Sequence, residues 1–190
     1  MPFLKTVFYH NTVQAWIIAL GVLVVVFAAL RLLKGVVHRR LAALSRRTAN
    51  DLDDLVADLF GRVKPYVLLA VSLGAAAQVL ALPGPLKTVL EKLVIIALLF
   101  QGVAWGGAVF DFWIDRSRRK KGEEDKAGLT VFSAMRFVGR LVLWSVALLV
   151  VLDNLGVDVT ALIAGVGVGG IAVALAVQNI LGDLFASMSI

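Results

Sequence analysis

Five long stretches of this chain carry no charged side chain. Residues 13–30 have none over 18 positions, 65–86 none over 22, 93–110 none over 18, 141–152 none over 12 and 159–182 none over 24. The apolar core of a bilayer is about 30 Å thick and takes about 20 helical residues to cross. Four of the stretches meet that length directly. The fourth in chain order is short, but it extends back through Phe137 past Arg140, and Arg136 and Arg140 have stems long enough to carry their charges to the interface. With 60% hydrophobic residues and a mean hydropathy of +0.91, the composition is not that of a soluble domain. The expected fold is all-α and polytopic, with five transmembrane helices. Residues 1–130 hold outer helices 1–3 and an amphipathic cytoplasmic loop, 131–155 hold helix 4, and 156–190 hold the last helix. The first stretch is too long for the apolar part of a cleaved signal, and no small-x-small site follows it.

The residue types needed for most chemistry are missing or scattered. There is no cysteine, which excludes disulfides, thiolate metal sites and a cysteine nucleophile. His10 and His38 lie near membrane edges rather than in a cluster, and read as interfacial residues. No nucleophile–base pair and no metal cluster stands out, so neither an enzyme nor a cofactor is expected.

Charge placement gives an orientation. Of 19 Lys and Arg, eight fall within residues 31–64 and eight within 111–140, leaving Lys5, Lys87 and Lys92 for the other ends. The positive-inside rule makes the basic side cytoplasmic, with the N-terminus outside and Ile190 inside. The turns at 82–85 and 153–156 are then external. The basic runs, Arg39 and Arg40 among them, suit contact with anionic inner-leaflet lipid and do not call for nucleic acid.

The first basic loop has internal order. Residues 31–47 are expected to continue helix 1 into the headgroup region. Asn50 then fits an N-cap, followed by Asp51, Asp53 and Asp54, where the helix dipole favours acids. Leu52, Leu55, Val56 and Leu59 follow at helical spacing. Their apolar side meets lipid or the bundle, unless the segment is a plain connector. Residues 116–126 form a charge run without periodicity, expected as a solvated loop. Gln78 and Gln101 are expected mid-membrane, as interhelical hydrogen-bonding groups.

The last stretch is unusual in where its small residues fall. At about 100° per residue, Val168, Ile171 and Leu175 share one stripe. Gly167, Gly170 and Ala174 lie on one flank of it, and Gly165, Gly169, Ala172 and Ala176 on the other. Small residues let helices approach closely in lipid. Two separate small flanks imply two close neighbours. If each neighbour is a copy of the same helix, the contact is head-to-tail, and such contacts close into rings. The aliphatic stripe then faces the axis as a hydrophobic constriction that gates by dewetting. The run ends on Gln178 and Asn179, with Gly182 following, which suggests a kink and a post-kink segment along the inner membrane surface. Gly165, Gly167 and Gly170 also match the spacing of a dinucleotide-binding fingerprint. No second strand or later acidic residue accompanies them, and they sit inside a membrane-length run.

Residues 165–187 resemble the pore helix of the small-conductance mechanosensitive (MscS-like) channel family. The matching pattern is glycine and alanine alternating with aliphatics, then Ala-Val-Gln178-Asn179, then Leu-Gly182-Asp183-Leu. The approach through residues 152–157, with Thr160, Ala161 and Leu162, is similar to the family's as well. Leu52-Asp53-Asp54-Leu55-Val56 resembles a segment of larger members with extra outer helices. The resemblance implies a homoheptamer of the bacterial inner membrane, opened by tension and weakly selective, which releases ions and small osmolytes in hypo-osmotic shock. It implies that Ile171 and Leu175 are the seal rings, and that Gly167, Gly170, Ala172, Ala174 and Ala176 form the sliding faces. Members often have glycine after the glutamine at the bend, where this chain has Asn179. The family also continues into a cytoplasmic β domain, so the chain is expected to be a membrane-domain piece.

On this reading Arg136 and Arg140 are candidates for lipid-phosphate contact. The rival from another class is a non-conducting oligomeric scaffold or sensor whose glycine helix only packs in a bundle. A secondary transporter would show internal repeats and intramembrane ionisable residues, and the five stretches show neither.

Overall fold

In the computed structural model, residues 7–8, 11–45, 51–121 and 126–188 are described. A two-residue hairpin, β1 (Val7–Phe8) against β2 (Asn11–Thr12), leads into six helices. These are α1 (Val13–Ser45), α2 (Asp51–Gly61), α3 (Pro65–Ala77), α4 (Gly84–Lys121), α5 (Lys126–Leu155) and α6 (Thr160–Met188). Helices answer the solvent, because in hydrocarbon each backbone N–H and C=O needs a partner within the protein. The chain is an all-α polytopic membrane protein. Four helices are long and apolar enough to span a bilayer, and a fifth span arises if α2 and α3, bent by 64° at their junction, count as one. The chain divides into two compact parts, residues 1–147 and 148–190, with the boundary inside α5.

Within the first part, α1 packs on α2 and α3, and α4 packs on the same pair. Thr12 caps α1, its Oγ1 accepting the Ala15 N–H at 3.2 Å. As expected, α1 runs beyond its apolar stretch through basic residues to Ser45. The amphipathic segment becomes α2 and meets the bundle. Ala57 is buried, Leu55 and Leu59 are half-buried, and Leu52 and Val56 stay exposed. Asn50 and His10 lie outside the described residues. The charge run at 116–126 begins inside α4, which continues to Lys121. Arg and Lys are good helix formers whose stems reach water from a helix end.

The second expected span differs most. A single helix over 65–86 is not formed. α3 has 13 residues, about 20 Å, which is too short to cross alone. At its end Gln78, Val79 and Leu80 donate to the carbonyls three residues back, at 3.1–3.3 Å, tightening the chain into a turn before Pro83. Gln78 therefore sits at the C-cap of α3 and not mid-span. Asn11 holds this turn. Its Nδ2 donates to the Ala81 carbonyl at 3.1 Å, and its Oδ1 accepts the Ala81 N–H at 2.7 Å.

The junction of α2 and α3 places Pro65 at the start of α3 and so frees carbonyls at the end of α2. Side chains from α1 and α4 take them up. Trp105 Nε1 donates to the Leu59 carbonyl at 2.8 Å, Gln101 Nε2 to that of Arg62 at 3.3 Å, and Lys34 Nζ to that of Val63. His38 Nδ1 lies 3.0 Å from the Ala57 carbonyl. Gln101 Oε1 also accepts the Lys64 N–H at 3.0 Å, and Gln101 is 3% exposed. Gln101→Leu removes both bonds and leaves two backbone groups without partners. Each such group costs about 1–3 kcal/mol. We expect a clear drop in the thermal unfolding midpoint in detergent. An unchanged midpoint would show that the bend does not depend on this amide.

Candidate functional site

α6 begins after a tight exit from α5. Gly156 has φ +93°, a left-handed conformation that suits glycine. The Val157 N–H reaches the Leu152 carbonyl at 3.0 Å and the Gly156 N–H reaches that of Asp153 at 2.9 Å. This pair of bonds closes α5 as a Schellman motif. Two residues later Asp158 Oδ1 accepts the Thr160 N–H at 2.9 Å. Hydrogen bonds from the Thr160 hydroxyl and N–H hold the Asp158 carboxyl below the usual carboxylate range. The folded form is therefore favoured above the ordinary range, and that contribution is lost as pH falls through the lowered value. A charged carboxylate at this point also complements the helix dipole of α6.

From Thr160 to Met188 the helix is continuous, and no loop interrupts it at Gln178, Asn179 or Gly182. The chain does not end its helix at the polar pair, because Gln and Asn still supply the backbone bonds that continue it. Val168, Ile171 and Leu175, spaced by three and four, all lie on this continuous helix. They are 69%, 64% and 56% exposed, and every residue from Thr160 to Asn179 is exposed. Among the described residues, no atom beyond the neighbouring turns of the helix lies within 4 Å of a Cβ built on Gly165, Gly167, Gly169, Gly170 or Gly182. Gly21, Gly35, Gly84, Gly102 and Gly107 are open in the same way, whereas Gly74, Gly106 and Gly139 are covered. A Cβ on Gly74 meets Val94 at 3.0 Å, one on Gly106 meets Leu143 at 3.3 Å, and one on Gly139 would clash with the edge of the Phe110 ring at 2.2 Å. Among the described residues the glycines of α6 are thus open, and the helix is a span of mean hydropathy 2.2.

The second charged feature lies where α4 and α5 approach their basic ends. Arg136 pairs with Asp115, and its Nε faces Asp111 Oδ1 at 3.9 Å. Arg140 donates to Asp111 Oδ2 at 2.8 Å. Asp111 Oδ1 is buried and lies beyond hydrogen-bond distance of its neighbours. Sequence reasoning singled out the two arginines and missed the two acids. The signal was present: Asp111 and Asp115 are four apart, as are Arg136 and Arg140, so each pair shares one helix face. Arg39 and Arg40 lie exposed on α1, away from this cluster in sequence and element. Among the described residues, no group of three or more His, Cys, Asp or Glu is placed to hold a metal ion.

Comparison with known proteins bears on the same region. Residues 138–178 match the family model described as "Mechanosensitive ion channel, transmembrane helices 2/3". That stretch covers the second half of α5, the glycine turn and α6 to Gln178. Over 98% of its length the chain is 27% identical to the large-conductance mechanosensitive channel MscMJLR of Methanocaldococcus jannaschii, covering 53% of that protein. Over 43 residues, 23% of the chain, it is 58% identical to an uncharacterized MscS family protein of Helicobacter pylori, covering 7% of that protein. The chain spans about half the length of the first of these relatives and a small part of the second. No solved structure matches. The likeness along nearly the whole chain, the match over α5 and α6, and the helical membrane architecture support an MscS-like membrane channel.

Proposed function

We propose that this chain forms the membrane part of an ion channel opened by membrane tension. The observation that carries the reading is α6: a membrane-length helix with small residues on two flanks, an aliphatic stripe between them, and open space over its glycines among the described residues. Copies of the chain supply the cover. Each α6 packs one small flank against the next copy and turns Val168, Ile171 and Leu175 to the axis. Gly165, Gly167, Gly169, Gly170, Ala172, Ala174 and Ala176 permit the close approach and the sliding between copies. The ring is a heptamer of the bacterial inner membrane, as the resemblance of residues 165–187 implies, with the N-terminus outside and the C-terminus in the cytoplasm. Closed, the aliphatic ring excludes water from a narrow lumen. Tension favours the state of larger membrane area, and acts only through that difference. The helix bends at Gln178, Asn179 and Gly182, where side-chain polarity and a missing Cβ ease departure from ideal geometry. Opened by hypo-osmotic swelling, the pore passes ions and small osmolytes with weak selectivity.

Patch recording of the full-length protein under graded suction tests this. Stepwise currents that appear with suction and close on its release are the expected result. Patches that stay silent up to rupture, with the protein present in the membrane, would overturn it. A monomer by mass in nanodiscs would favour a non-conducting scaffold instead.

A further inference from the structure

One cavity of the first compact part combines features that the channel reading does not use. It has a volume of about 400 Å³ and lies between the α2–α3 junction, α4 and α5. This is within the range of ligand sites. Its charged lining is Arg62, Lys64 and Arg140, with Asp111 as the one acid. Its apolar wall includes Phe100, Leu143 and Trp144, with the two rings 5.9 Å apart and tilted by 55°. The α4 residues that line it run from Phe100 to Asp111, about 16 Å of helix. The wall is open to the surroundings, since Trp144 is 53% exposed and Phe100 39%.

We propose that this cavity seats an anionic glycerophospholipid, with its phosphate among Arg62, Lys64 and Arg140 and an acyl chain along Trp144 and Phe100. The inference goes beyond the channel reading and rests only on the chain's place in a membrane. Charge decides the headgroup. Three cations face one carboxylate, and Lys64 has no ion pair among the described residues. Asp58 holds Arg62 through Nε at 2.7 Å, and Asp111 holds Arg140 through one terminal nitrogen at 2.8 Å. Both arginines remain about half exposed. A guanidinium offers five donors in a fork that matches phosphate oxygens, and an ammonium adds a point charge. Basic pockets between membrane helices suit such headgroups. The wall decides the source. A soluble anion gains nothing from two exposed aromatic rings beside the charges, whereas a lipid covers them with its chain.

The test measures tryptophan quenching in the full-length protein, reconstituted in phosphatidylcholine vesicles with rising fractions of either phosphatidylglycerol or phosphatidylcholine brominated on the acyl chain. Brominated phosphatidylglycerol is expected to quench at a mole fraction about tenfold lower. Trp144→Phe removes that difference in signal, while lipid retention by native mass spectrometry keeps the preference. Arg62→Gln with Lys64→Gln brings both lipids to parity. These side chains are exposed, and the Gln101 bonds at the junction go to backbone atoms, so the double variant keeps its fold, which circular dichroism checks. Arg39→Gln with Arg40→Gln keeps the preference. Equal quenching by the two lipids would overturn the proposal. So would loss of preference in the Arg39/Arg40 variant equal to that in the Arg62/Lys64 variant, or displacement of the lipid by inorganic phosphate.

Discussion

Leu175→Ser is expected to lower the tension at which the channel opens. In the proposed ring each copy contributes one side chain at this level, so one substitution changes the whole constriction. A buried leucine contributes roughly 1.5–3 kcal/mol of apolar transfer. A hydroxyl in its place offers water a partner and removes part of the dewetting barrier. Loss of about 5.5 kcal/mol from the closed state, summed over the ring, carries a two-state equilibrium from about 1:99 to 99:1 at fixed tension. Openings at markedly lower suction, or without any, are therefore expected. Val166→Ser provides the control, because Val166 lies on the opposite side of the helix from the stripe. An equal shift from Val166→Ser, or an unchanged threshold in Leu175→Ser, would remove Leu175 from the seal.

Gly139→Leu is expected to have the largest effect on stability. A Cβ at this position would come within 2.2–2.9 Å of three atoms of the Phe110 ring. A leucine needs more room still, so α5 must move from α4 or the ring must leave its place. Overpacking of this kind costs about 1–3 kcal/mol. Gly139 is also flanked by Arg136 and Arg140, so the same displacement strains both ion pairs to Asp111 and Asp115. Thermal unfolding in detergent should show a lower midpoint. Gly102→Ala is the contrast: nothing lies within 4 Å of a Cβ there, and the change should stabilise the helix by roughly 0.5–1 kcal/mol. If both variants shift in the same direction, close approach at Gly139 is not what limits this contact.

The two experiments address different kinds of glycine. Gly139 of α5, Gly74 of α3 and Gly106 of α4 have a side chain of the same copy over them, while Gly102 of α4 and the glycines of α6 have open space, which in α6 the proposed ring would fill. Leu175→Ser probes the surface that this ring would enclose, and Gly139→Leu probes packing already complete within one chain.

The long apolar stretches, the continuation of α1 into its basic end, the helical run that carries Val168, Ile171 and Leu175 and the turn around Gly156 were legible in the residues. Each depends on neighbours within a turn or two, through hydropathy, helical spacing or a left-handed glycine. The division of residues 65–86 into a 13-residue helix and a turn was not. Hydropathy does not register that Asn11 would clasp Ala81, or that Lys34, Gln101 and Trp105 would receive the carbonyls freed before Pro65. Likewise, Asp111 and Asp115 became partners of Arg136 and Arg140 only when α4 and α5 came together. A backbone break inside a membrane protein is stable only where distant side chains satisfy it, and which ones arrive is decided by tertiary structure.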